Sequence, residues 1–217
     1  MKKFELTNEF ITNMFGTKLF RIRALVEFGD VEAGELGGYV EKESNLGHDD
    51  NAWVYDNAWV YGNARVYGDA LVYDNARVYD NAWVYGDAQV SGNARVYGNA
   101  RVCGNALVCG NAWVYGNAWV YGDAQVSGDA RVCGNGDYAY AHGFGSVNRT
   151  TTFFRLKDGG VGVRCGCFYG TLAQFRDKIR ETHGETKKAQ EYLMLADLME
   201  LRFEEDENEV GNRKYVE

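Results

Sequence analysis

The chain has 217 residues, 46% hydrophobic and 14% aromatic, with 27 glycines, five cysteines and no proline. That length suits one or two domains with enough apolar material for a core. The net charge of -8 is spread along the chain, with 6 basic and 10 acidic residues over 1–50, 5 and 7 over 51–134, and 12 and 14 over 135–217, so no segment has the basic excess that duplex nucleic acid or an anionic membrane attracts.

Lys2 and Lys3 are followed by Glu5 and Glu9, where a signal peptide carries an uninterrupted apolar stretch. No apolar run reaches membrane-spanning length. Cys103, Cys109, Cys133, Cys165 and Cys167 are odd in number and not spaced as a staple framework, which points to a reducing, cytoplasmic setting. Residues 1–50 combine the strand-like TKLFRIRALVEF with glycine corners at irregular spacing, the composition of an N-terminal cap that closes the open strand edges of a solenoid.

From Asn51 to Gly134 the chain is a run of 14 hexapeptides without insertion, of the form NAWVYG, NARVYG or DAQVSG. Position two is always Ala (Ala52 to Ala130) and position four always Val (Val54 to Val132), so both fall on one side of a short strand. Positions six and one pair Gly or Asp with Asn or Asp, types that tolerate corner conformations. Such short edges bury their Ala and Val only if the chain coils about an axis and stacks turn on turn. Positions three and five then point outward.

The pattern of Val, three corner residues and Ala resembles the hexapeptide-repeat family of left-handed parallel β-helices. The resemblance implies three hexapeptides per triangular coil, with residues 18 apart in vertical register. The run then makes a little under five coils and an axis of roughly 22 Å. The near-identity of residues 81–98 and 117–134, offset by 36, fits two such coils. Stacking at 18 sorts the outward residues onto three faces. One carries Trp53, Leu71, Gln89, Leu107 and Gln125. The second carries Trp59, Arg77, Arg95, Trp113 and Arg131 beside Tyr61, Tyr79, Tyr97 and Tyr115. The third carries Arg65, Trp83, Arg101 and Trp119. All five Trp sit at position three, so all are expected to face out.

Beyond Gly134 the repeat dissolves, and 135–149 reads as a linker ending the solenoid. Residues 150–203 read as a small α+β domain. It opens with a β-hairpin turning at Lys157-Asp158-Gly159-Gly160. A helix capped by Thr171 and Gln174 comes next, burying Leu172, Phe175 and Ile179 and ending near His183-Gly184. A second helix is expected from about Glu185 to Phe203, and 204–217 is an acidic tail. With RIRALVEFGDVEAGELGGYVEKESNL before the repeats and TTFFRLKDGGVGVRCGCFYGTLAQFRDKIRETHG after them, the chain resembles hexapeptide-repeat proteins of bacteriophages and prophages. Those are usually given a provisional transferase description or left uncharacterised.

Large aromatic residues outside a coil that needs only Ala and Val for its core mark an interface. β-Helices of the hexapeptide family commonly form homotrimers with parallel axes, and grooves between them lined by Arg, Trp and Tyr suit a small, flat anion, rings stacking on a base and guanidinium groups meeting phosphate. The expected ligand-binding residues are Arg77, Arg95, Arg101, Arg131, Trp113, Trp119, Tyr97 and Tyr115, with the ligand nucleotide-like. By analogy with phage proteins that sequester such molecules, it is expected to be a host immune signal. No cofactor and no metal is expected: the three histidines lie outside the repeats and do not converge, and Cys165 and Cys167 make two thiols where a zinc site takes four ligands. Two alternatives stand beside capture. One is a scaffold docking on a host or virion protein. The other is a hexapeptide-family acyltransferase using acyl-CoA, with His48 or His142 as base.

Overall fold

The structure, a computed structural model, describes residues 1–145 and 148–204. Its first strands, β1 (Phe4–Thr12) and β2 (Lys18–Ala24), form an antiparallel hairpin; β2 pairs with β3 (Leu36–Val40). From there the chain coils. Tyr39 and Val40 lie in parallel register on Trp59 and Val60, so the cap donates the first edge of the solenoid.

Each hexapeptide contributes a two-residue strand from positions three and four, running from Trp53–Val54 to Arg131–Val132 (β4–β17). Strands 18 residues apart pair in parallel, as in Trp59 with Arg77, Arg77 with Arg95, Arg95 with Trp113 and Trp113 with Arg131. Three sheets result, with the composition expected of the three faces. Every Ala of position two and Val of position four is at most 1% exposed. Each buried Val contributes about 1.5 kcal/mol or more, which offsets the ordering of so short an edge only because the next coil repeats it.

The corners derive from backbone chemistry. Position six is left-handed at every corner up to Gly128, by Gly in most units (Gly98 at φ +69°) and by Asp56, Asp74 and Asp80 (φ +51° to +59°) in others. Position one forms polar ladders up the corners, with Asn63 donating to Asn81, Asn81 to Asn99 and Asn99 to Asn117 at 3.2–3.3 Å.

Two expectations about outward residues need correction. Trp53 does not face out: it is fully buried, with Phe4 and Phe28 set edge-on at 6.2 and 5.3 Å. The cap crosses it at Gly37, where a Cβ would stand 2.8 Å from the indole, so a residue with any side chain would clash. At position five, Ser91, Ser127 and Cys103 are buried, whereas Cys109 is half-buried and Cys133 exposed.

The C-terminal unit is a four-stranded antiparallel sheet, β18 (Tyr138–Phe144), β19 (Arg149–Arg155), β20 (Val161–Cys165) and β21 (Phe168–Thr171), packed on α1 (Leu172–His183) and α2 (Lys187–Phe203). The capping box of Thr171 and Gln174 is present in both directions at 2.9 and 3.3 Å. α2 starts at Lys187 because extended Thr186 caps it, its hydroxyl accepting from Ala189 N. Residues 138–144, read as linker, instead form the first strand of the sheet, pairing with β19.

This unit closes the last coil. Ala130 bridges Leu156 in antiparallel fashion, Lys157 N donates to Asp129 O at 3.1 Å, and Tyr138 Oη donates to Trp119 O at 2.6 Å. The acidic segment expected over 204–217 lies, after Glu204, outside the described residues.

Candidate functional site: an arginine and aromatic cleft

Parallel stacking puts identical positions about 5 Å apart, which is ring-stacking distance. On the second face Tyr61, Tyr79, Tyr97 and Tyr115 form a continuous stack with centroids 5.0, 4.9 and 5.1 Å apart and planes within 7° of parallel. Beside it runs the column of position three. Arg77 lies 4.1 Å over the Trp59 ring, and Trp113 is held between Arg95 at 4.8 Å and Arg131 at 4.2 Å.

These two columns floor a cleft of about 1110 Å³. One wall is the tip of the β1–β2 hairpin, whose Met14 and Phe15 are 87% and 80% exposed. Asn13 shapes that tip: its Oδ1 accepts from the amides of Phe15 and Thr17, both at 3.0 Å. The other wall comes from beyond the last coil, with Gly134, Gly136, Asp137 and Arg155. Asp137 Oδ2 accepts from Cys133 N and Gly134 N at 2.9 and 3.0 Å.

Four arginines and one carboxylate, Asp137, line the cleft. Burial lowers the pKa of Arg131 from its ordinary value, while its Nη1 donates to Asn111 O and Ala130 O at 3.0 and 2.8 Å. Burial and its two tyrosine neighbours push Tyr79 well above the ordinary phenol range, so the ladder offers neutral rings and hydroxyls at neutral pH.

Of the eight expected ligand-binding residues, Arg77, Arg95, Arg131, Trp113, Tyr97 and Tyr115 come together in this cleft. Arg101 and Trp119 do not. They lie on the third face, where Arg101 sits 5.0 Å over Trp83 and Trp119 Nε1 donates to Cys103 Sγ at 3.0 Å. The two candidate bases, His48 and His142, lie at opposite ends of the solenoid. His48 stacks on Phe4 at 4.5 Å, with Nδ1 accepting from Lys3 N and Nε2 2.9 Å from Glu43 Oε1, so its role is built into the cap. His142 is exposed on β18, with Nδ1 2.9 Å from Thr150 Oγ1. Among the described residues, no group of three or more His, Cys, Asp or Glu is placed to hold a metal ion.

Sequence reasoning missed Met14, Phe15, Arg155 and the backbone of Gly134 and Gly136. Two large apolar residues in the turn NMFGT were a signal, since a hairpin tip in water does not ordinarily carry them. Arg155 gave none, because its place depends on which face the C-terminal sheet closes.

A family model described as the YdcK beta solenoid repeat matches residues 58–72, 70–86, 88–104, 100–116 and 106–122, all within the hexapeptide run. No curated protein matches the chain. Among the described residues, no helix is long and apolar enough to cross a membrane.

Proposed function

We propose that this β-solenoid repeat protein is a non-enzymatic capture protein that holds a small, flat, anionic, nucleotide-like ligand in the cleft of its second face. One observation carries the reading. Three arginines are spread on indole faces beside a tyrosine stack, in a cleft wide enough for a ligand. A guanidinium held flat on a ring can turn its remaining edge donors to phosphate oxygens, and the stacked rings present their edges and hydroxyls along the cleft. Each protomer builds this cleft from its own elements, so a homotrimer would carry one per chain, with further grooves between solenoids. A host immune signal of nucleotide type, met in the cytoplasm, is the ligand class to test first.

The test is native mass spectrometry of protein purified gently from bacterial cells, followed by analysis of what denaturation releases. A nucleotide-sized mass in integral ratio to the chain, lost in Arg95→Ala and kept in His142→Ala, is expected. An empty protein that ignores a nucleotide panel overturns capture. Turnover lost only in His142→Ala would favour acyl transfer.

The exposed Met14 and Phe15 favour a second reading, a scaffold that docks on a host or virion protein. In that case Met14→Ser with Phe15→Ser abolishes a stoichiometric pull-down partner while Arg95→Ala leaves it intact.

A further inference from the structure

The C-terminal unit carries a cavity of its own, about 590 Å³, which shares no lining residue with the cleft of the second face. It lies where the β20–β21 turn meets α1 and α2. Its walls are aromatic. The Phe175 ring lies 5.5 Å from Phe168 and 5.8 Å from Tyr192, the latter edge-on, and His183 stacks on Tyr192 at 6.0 Å. Phe175, Ile179 and Tyr192 are at most 5% exposed, so core packing holds this box in shape before any ligand enters. Its inner polar groups are bound within the unit: Thr151 Oγ1 donates to Cys165 Sγ at 3.2 Å, and Tyr192 Oη donates to Phe144 O at 3.3 Å.

Charge enters at the turn. Cys165 pairs with Phe168, so Gly166 and Cys167 are the two central residues, and Gly166 has φ +58°, the conformation a two-residue hairpin loop asks of a glycine in first place. A Cβ on Gly166 would also overlap the Arg149 guanidinium. The glycine thus closes the turn and lets Arg149 lie across it, where it lines the cavity. Among the described lining residues are Arg149, Lys178 and His183 and no carboxylate. Lys178 is already paired with Glu181 at 2.8 Å, outside that lining. One guanidinium beside aromatic walls matches a single negative charge on a flat apolar body, since its fork meets both oxygens of a carboxylate, whereas a phosphate dianion calls for a second cation.

We infer that this cavity is a second ligand site, which takes a small aromatic carboxylate. The ring enters the box of Phe168, Phe175 and Tyr192, and the carboxylate meets Arg149. The site stands apart from the capture reading, because the two share no residue.

3-Phenylpropionate, 3-phenylpropanol and phenyl phosphate serve as probes, read by titration calorimetry on the full chain. A second readout is the rate at which N-ethylmaleimide labels each cysteine, mapped by peptide mass: Cys165 and Cys167 line this cavity, whereas Cys133 lines the second-face cleft. 3-Phenylpropionate is expected to bind saturably and to slow labelling of Cys167 while leaving Cys133 unchanged. Arg149→Gln, checked for fold by circular dichroism, is expected to weaken the acid by about tenfold or more, the scale of a lost bidentate charged contact, and to leave the alcohol unchanged. Arg149→Lys retains part of the affinity, and Arg95→Ala retains all of it.

The labelling is read on the unaltered chain and does not depend on the variant folding. Labelling of Cys167 unchanged at high 3-phenylpropionate, or slowed at Cys133 instead, overturns the site. Acid and alcohol bound alike, or acid bound equally by the parent and Arg149→Gln, overturn the role of Arg149 and the carboxylate with it. Phenyl phosphate bound more tightly than the acid overturns the single-charge ligand.

Discussion

At the scale of single residues, the corners and the stacked columns set the tolerances. Gly98 is left-handed at φ +69°, and a Cβ there would stand 3.1 Å from the amide of Gly116 on the next coil. Gly98→Val is expected to cost about 2 kcal/mol or more in chemical denaturation, from the left-handed backbone and the crowding together. Gly98→Asp should cost clearly less, because Asp80 holds the same corner one coil earlier at φ +58°. Protons are equally constrained. Burial brings Lys3 down to about 8 while its Nζ donates to Ala52 O at 2.9 Å. The unfolded chain keeps this proton up to about pH 10.5, so between pH 8 and 10.5 the unfolded state binds more protons and stability rises with pH. Tyr79 and its neighbours work the other way. Their raised folded pKa means that above pH 10 the unfolded chain releases protons the folded chain retains, so stability falls there. Urea midpoints across pH 7 to 12 should rise and then fall, with Lys3→Met flattening the rise and Tyr79→Phe reducing the fall.

At the scale of elements, the coil is the unit and the hexapeptide is a third of it. Removing 18 residues, 81–98, leaves every remaining strand over a strand of its own face, because pairing joins residues 18 apart. Far-ultraviolet circular dichroism and cooperative unfolding should survive, with the cleft one coil shorter. Removing 6 residues, 87–92, also leaves a continuous solenoid, since every hexapeptide carries the same Ala and Val. It turns the C-terminal unit by one face relative to the hairpin tip, so Arg155 and Phe15 no longer flank one cleft and Arg95 stacks on Leu71 instead of Arg77. The short deletion should therefore abolish nucleotide retention at unchanged fold, whereas the long one should weaken it only in part. If both deletions retain ligand equally, the cleft is not where it binds.

At the scale of the whole molecule, two ends converge on one face. The net charge is -8, yet the cleft concentrates arginine, because all five basic residues of 51–134 are arginines at position three and three of them share the second sheet. The repeat alone could state that much. It could not state that Trp53 disappears under the cap, that Trp119 reaches back to Cys103, or that the walled cleft forms on the second face and leaves Arg101 and Trp119 outside it. Those outcomes depend on where non-repetitive segments fold back, and residues 1–50 and 135–204 carry no periodicity that fixes their direction.

Period, corner chemistry and the invariant Ala and Val determined the solenoid, its three faces and the membership of each, because every coil meets only its neighbours and local pattern suffices. The helices of the C-terminal unit were equally readable, through a capping box and an apolar stripe. The cleft itself was decided by tertiary structure. Its walls come from segments more than 100 residues apart, and the C-terminal wall is docked through one bridge between Ala130 and Leu156 that no local pattern encodes.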